Sequence, residues 1–149
     1  MKRERNILLE KSDAFSNRIV KMYQYLVSQK RELIMSKQVL RRGTSIGANL
    51  SESKNAQSTP DYLSKQNIAL KEADETLYWL KQLYDGGYIN EKEYDSINKD
   101  CIELVKMLVT SVKTLKKKGR QGRRARLIIS IIFHLSSKKE SDEIDLFFI

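Results

Sequence analysis

Arg41-Arg42-Gly43-Thr44-Ser45-Ile46-Gly47-Ala48-Asn49-Leu50-Ser51-Glu52-Ser53 is the stretch on which the fold turns. It is a run of small and hydroxyl residues headed by two arginines, placed where the surrounding pattern asks for a helix. Glycine inside a helix costs about 1 kcal/mol against alanine, and Thr, Ser and Asn are middling helix formers. Such a segment stays helical only where packing offsets the deficit. Small groups at Gly43, Gly47 and Ala48 let a second helix come close, and Gly43 and Gly47 stand one turn apart on one face. The segment reads as the close-packed part of a helical bundle. Ser45, Asn49 and Glu52 are then available for polar bonds between helices or subunits.

Working outward, Leu8, Phe15, Ile19, Met22 and Leu26 repeat at helical spacing and predict a first amphipathic helix over residues 6–28. Val20, Tyr23 and Val27 widen its apolar arc beyond what one helix pair needs, which points to contact with another subunit. The second helix is expected from Arg31 or Glu32 to about Asn55, with Leu33, Val39, Leu40, Ile46 and Leu50 as its larger apolar groups. Gln57-Ser58-Thr59-Pro60-Asp61 then supplies a hydroxyl N-cap, a first-turn proline and an acid at the positive end of the next helix.

That third helix runs to about Asp85, with Leu63, Leu70, Ala73, Leu77, Leu80 and Tyr84 as its core stripe, widened by Ala69, Tyr78, Trp79 and Leu83. Gly86-Gly87 closes it. Asn90 with Glu93 forms a capping box for a fourth helix carrying Tyr94, Ile97, Cys101, Leu104, Leu108, Val112 and Leu115, down to Lys116-Lys117-Lys118. Four such helices with short connections predict an all-α, antiparallel up-down four-helix bundle over residues 1–118. Residues 119–149 read as an appendage: a basic linker, the apolar run 127–135 with no decision between helix and strand, a polar run 136–145, and the apolar end 146–149. Its preferred reading is docking on the bundle or on a neighbouring subunit. A membrane-surface role ranks below that, so no membrane partner is expected.

Composition narrows the function. Charged residues make up 32% of the chain, one proline and six glycines suit long helices, and a single cysteine excludes an internal disulfide and fits a reducing cytoplasm. No apolar run approaches the roughly 20 residues a spanning helix needs. The net charge of +9 is uneven: residues 1–60 carry 12 Lys or Arg against 5 Asp or Glu, whereas residues 61–118 carry 10 of each. A basic first half invites an anionic partner, RNA or DNA backbone above all, or equally serves as a solubilising surface. Lys11, Arg18, Lys21, Lys37, Arg41 and Arg42 are the candidate phosphate contacts. Lys37, Arg41 and Arg42 form a short cationic ridge.

No catalytic, cofactor or metal constellation is expected. His134, the only histidine, lies in the apolar tail with no Cys or carboxylate at ligand spacing. Cys101 falls on the core stripe of the fourth helix, the place of an inert buried thiol. Gly43-x-x-x-Gly47 lacks the strand and the Lys-Ser/Thr of a phosphate loop. Glu72, Asp74 and Glu75 read as surface carboxylates, and Trp79, one step off the main stripe, is the candidate interface aromatic.

Two motifs resemble those of a known family. Ser45-Ile46-Gly47-Ala48-Asn49-Leu50-Ser51-Glu52, headed by the arginines, resembles its "RxxxSIxAN(I/L)xE" signature. Ser58 with Asp61-Tyr62-Leu63, followed by Ile68-Ala69-Leu70-Lys71-Glu72-Ala73-Asp74-Glu75-Thr76-Leu77-Tyr78-Trp79-Leu80, resembles its third-helix motif. This is the bacterial four-helix-bundle family first described as the large-subunit rRNA intervening-sequence protein, which also includes the accessory variability protein of diversity-generating retroelements. The resemblance covers about residues 6–118. It departs at Ser53, where many members have glycine, and in the tail from Gly119.

The resemblance implies a homopentamer of up-down bundles around a central channel, with a basic outer surface. For the retroelement relatives it implies structured RNA and a reverse transcriptase as partners. The expectation is therefore a non-enzymatic, cytoplasmic, nucleic-acid-binding homo-oligomer. A protein-interaction scaffold, such as an accessory subunit of a reverse transcriptase, is the alternative.

Overall fold

The structure, a computed structural model, describes the backbone of residues 2–147 and the side chains of residues 7–135. Its elements are α1 (Lys2–Ser28), α2 (Met35–Ser53), α3 (Thr59–Asp85) and α4 (Glu91–Phe147), and no strand occurs among the described residues. The chain divides into two units, Met1–Lys113 and Thr114–Ile149. The first is an all-α four-helix bundle. The second is helical through Phe147, so residues 119–126, which read as a linker, are helical too. The polar run 136–145 and the end 146–149 lie outside the residues whose side chains are described.

In the bundle every neighbouring pair of helices is antiparallel, as the cross-contacts require. Gly43 of α2 lies against Ile19 of α1, and Gly47, one turn on, lies against Ser16 and Ser12, so the numbers run in opposite directions. Arg42 meets Glu72 and Glu75 while Glu52 meets Lys65, which reverses α3 on α2. Cys101 Sγ donates to the Ala73 carbonyl at 3.5 Å and Tyr84 stacks on Tyr94, reversing α4 on α3. Arg18 with Asp100 and Lys11 with Glu103 close α4 onto α1.

Capping chemistry sets the helix starts. The Ser58 hydroxyl accepts from Asp61 N at 3.2 Å while Asp61 Oδ2 accepts from Gln57 N at 3.1 Å, with Pro60 in the first turn. Asn90 Oδ1 accepts from Glu93 N at 2.8 Å, and Glu93 Oε1 accepts from Asn90 N at 3.0 Å, a complete capping box. Gly87 takes the left-handed φ of +77° that ends α3, a conformation without penalty for glycine.

Helix α2 begins later than the apolar pattern suggested. Buried Glu32 is not its first turn but its cap: the carboxylate accepts from Ile34 N, Met35 N and Ser36 N at 3.0, 2.9 and 2.6 Å. Three of the otherwise orphaned N–H groups of the helix start are satisfied by one side chain. Leu33, expected in the core, sits before the helix and is exposed, as is Ile34. Burial alone would raise the Glu32 carboxyl, but the N–H bonds from Ser36, Met35 and Ile34 and the Ser36 side chain outweigh it and hold it below the ordinary glutamate value.

The core contains Leu8, Phe15, Ile19 and Leu26 from α1, Val39, Ile46 and Leu50 from α2, Leu80 and Leu83 from α3, and Ile97, Cys101, Leu104 and Leu108 from α4. On α3 the buried line differs from the expected one. It runs through Gln66, Ala69, Ala73, Thr76, Leu80 and Leu83, while Leu70, Leu77 and Tyr84 flank it. Small residues at the centre of that line let the neighbouring backbones approach. The buried Thr76 hydroxyl is satisfied within its own helix by the Glu72 carbonyl.

Two outcomes follow from these contacts. A Cβ added at Gly43 would stand 2.9 Å from Ile19 Cγ1 and 3.0 Å from Cγ2, and Ile19 is fully buried with a stiff β-branched side chain. Overpacking costs about 1–3 kcal/mol, against the ~1 kcal/mol of helix propensity that alanine returns. Gly43→Ala is therefore expected to lower the melting temperature. Gly47→Ala meets only the Ser16, Asp13 and Ser12 oxygens at 3.3–3.5 Å and is expected to be near neutral; equal losses at both sites would refute the close approach. Because its folded pKa is lowered, Glu32 contributes stability above the ordinary glutamate pKa and loses it as pH falls through the lowered value. The stability gap between wild type and Glu32→Gln, followed by chemical denaturation, should be widest near neutrality and shrink in acid.

Candidate nucleic-acid interface

The six candidate phosphate contacts fall into two groups. Three are engaged within the bundle. Lys11 Nζ lies 2.8 Å from Glu103 Oε1, joining α1 to α4. Arg18 pairs with Asp100 and donates to Ser96 Oγ at 2.8 Å and to the Ser96 carbonyl at 3.3 Å. Arg42 turns into the α2–α3 seam, with Nη1 3.3 Å from Glu72 Oε2 and Nε 2.8 Å from Glu75 Oε2; the Nε approach is too bent for a hydrogen bond. Glu72 is thus no free surface carboxylate but the mostly buried counter-ion of Arg42.

Lys21, Lys37 and Arg41 form the other group. All three are exposed, and no ion pair among the described residues engages them. Lys37 and Arg41 are one turn apart, and with Ala48 and Glu52 they line the outward strip of α2. Lys21 stands on α1 one turn beyond Arg18. Adjacent arginines therefore have opposite situations: a step of roughly 100° around the helix separates the outward Arg41 from the inward Arg42.

The packing candidates divide in the same way. Gly43 and Gly47 are buried against α1, whereas Ala48 is exposed and lies on the strip with Arg41. The Ser45 hydroxyl donates to the Arg41 carbonyl at 2.6 Å and Asn49 Nδ2 to the Ser45 carbonyl at 2.8 Å, so both bond within their own helix. Glu52 bridges helices through Lys65 Nζ at 2.6 Å, which raises the lysine pKa through that hydrogen bond and charge. Trp79 is half-buried on the core, and Tyr78, 5.1 Å from it in an edge-on contact, is the more exposed aromatic of the two. The exposed pair Leu33 and Ile34 at the α1–α2 turn was missed as a surface feature, since the second helix was expected to start at Arg31 or Glu32 and to bury Leu33.

Cys101 is not placed to act as a nucleophile. Burial, with the nearby Asp74 and Asp100 carboxylates, pushes the Cys101 thiol up to about 12, so it stays protonated near neutral pH. No group of three or more His, Cys, Asp or Glu able to hold a metal ion occurs among the described residues. No helix is long and apolar enough to cross a membrane among the described residues.

This bundle has relatives. Residues 4–110 match the family model described as 23S rRNA-intervening sequence protein. A crystal structure of a protein of unknown function from the S23 ribosomal protein family of Bacteroides thetaiotaomicron is 49% identical, with a TM-score of 0.73 over 74% of this chain and 98% of that one. No curated protein matches. The matched residues hold the α1–α3 seams, the capping boxes and both groups of cations, and on that shared extent the chain belongs to the 23S rRNA-intervening sequence protein family.

Proposed function

We propose that this protein is a non-enzymatic homo-oligomer, pentameric as the resemblance implies, that binds structured RNA through the phosphate backbone. The observation that carries the reading is the outward pair Lys37 and Arg41. Their charges have no intramolecular counter-ion among the described residues, while Lys11, Arg18 and Arg42 are neutralised by acids of the same chain. Cations left open to solvent on a rigid helix attract phosphate without reading bases. The family's description, which names an rRNA intervening sequence, points to RNA rather than DNA. Oligomerisation multiplies the effect, because each added copy repeats the same pair.

A second reading has its own support. Leu33, Ile34 and Tyr78 are exposed large apolar groups at or near helix ends, the composition of a protein interface. In that reading the bundle is a scaffold for a nucleic-acid enzyme such as a reverse transcriptase, and the cations meet RNA that the partner carries.

Binding of a structured RNA should weaken by about ten- to fortyfold for a fourfold rise in monovalent salt if two or three phosphates are contacted per complex. Affinity indifferent to salt would remove the phosphate reading. Light scattering at micromolar concentration should return a multiple of 17.4 kDa, near five copies; a monomer mass contradicts the oligomer. Under the scaffold reading, Ile34→Ser should lose partner proteins that the wild type retains, with RNA affinity unchanged.

A further inference from the structure

Beyond the residues that match the family model, the second unit opens with the helical segment 114–135. Its first half is basic: Lys116, Lys117, Lys118, Arg120, Arg123, Arg124 and Arg126, with no carboxylate anywhere between Glu103 and Glu140. At 100° per residue, Lys116, Lys117, Arg120, Arg123 and Arg124 fall within an arc of roughly 120°. Its second half is apolar. Leu127, Ile128, Ile129, Ile131, Ile132, Phe133 and Leu135 are all exposed, between 51% and 76%. They occupy an arc of roughly 240° of the helix, and no charged side chain occurs from 127 to 137.

We propose that this segment is a membrane-surface element that docks on bilayers bearing anionic lipid headgroups. Each half makes a demand, and one occupant meets both. RNA would neutralise the cations but leave seven large apolar side chains in water. A second copy of the segment would cover the apolar run. In parallel it would also bring two acid-free cationic stretches side by side, with nothing in either to offset the repulsion. An apolar arc this wide exceeds the narrow seam of a two-helix contact and is typical of a helix surrounded by apolar material. An anionic bilayer presents phosphate at its surface and acyl chains beneath it, in the order in which the helix presents cations and then apolar groups.

Length sets the depth. The apolar run of 127–135 is about 14 Å long as a helix, far short of the roughly 30 Å hydrocarbon core. It reaches the headgroup and upper acyl region of one leaflet and does not span. Gly119 and Gly122, with nothing within 4 Å of an added Cβ, leave one side of the basic stretch without bulk. The long lysine and arginine stems there can extend to headgroup level while the apolar end sinks. The bundle is then carried to the membrane face by an element outside the residues that match the family model, independently of what the bundle binds.

The test is flotation of the full chain in a density gradient with phosphatidylcholine vesicles, with or without phosphatidylserine. Wild type is expected to float with the phosphatidylserine vesicles and to stay at the bottom with phosphatidylcholine alone. The triple variant Arg120→Gln, Arg123→Gln, Arg124→Gln should lose at least tenfold in lipid affinity. The double variant Ile128→Ser, Ile132→Ser should retain only binding that high salt abolishes. All five positions are exposed, so circular dichroism melts should match wild type and exclude misfolding.

Failure of wild type to float with phosphatidylserine vesicles overturns the proposal, and so does equal flotation with both vesicle types. If it fails to float and the isoleucine variant has a lower mass by light scattering, the occupant is a second copy. If it fails to float and the arginine variant loses RNA binding, the basic stretch belongs to nucleic acid.

Discussion

The contact between the Gly43 backbone and the Ile19 side chain is the constraint from which the rest of the bundle follows. Ile19 is fully buried, and its two γ-carbons occupy the space that any β-carbon at position 43 would need. The distance between α1 and α2 is set there. Three hydroxyls of α2 bond within their own helix: Thr44 to the Leu40 carbonyl, Ser45 to Arg41 and Ser53 to Leu50. Those hydroxyls are satisfied locally, and Arg42 Nε is the buried polar atom of α2 that the seam leaves without a hydrogen bond among the described residues.

Fixing the rotation of α2 also decides the fate of its charges. With Gly43 and Gly47 against α1, Arg42 is delivered to Glu72 and Glu75 on α3, and Arg41 is delivered to solvent. Exposed ion pairs are worth about 0–1 kcal/mol each, so Lys11 with Glu103 and Arg18 with Asp100 orient α4 more than they stabilise it. Arg42 is different, because its Glu72 partner is largely out of water and removing one member would leave the other unpaired. The excess of 12 Lys or Arg over 5 Asp or Glu in residues 1–60 thus overstates what they offer a ligand. Half of the candidate contacts are part of the bundle's own structure.

Much of this was legible in the sequence. Caps are local chemistry, and Ser58-Thr59-Pro60-Asp61 and Asn90 with Glu93 form the bonds their spacing predicts, because each needs only neighbours along the chain. The four helices and their order followed from apolar periodicity. The misreadings are tertiary. On α3 the expected stripe held Ala73 and Leu80 with Ala69 and Leu83 beside it, all of them buried, but its Leu70, Leu77 and Tyr84 flank the core, while Gln66 and Thr76, passed over as polar, are buried on the line. Leu33 looked like core because the second helix was expected to start at Arg31 or Glu32 and to include it, but Glu32 takes the buried position by binding three amides. The separation of Arg41 from Arg42 was invisible, since both belong to one basic run until the angle of α2 is known.

Arg41→Gln and Arg42→Gln, compared side by side, separate the proposed ligand contact of the first arginine from the packing role of the second. RNA affinity as a function of salt and the melting temperature are measured for both. Arg41→Gln is expected to weaken binding and flatten the salt slope with the melting temperature unchanged. Arg42→Gln is expected to lower the melting temperature and leave the slope of the folded protein as in wild type. A flattened slope in Arg42→Gln, or a destabilised Arg41→Gln with normal RNA binding, would contradict that separation.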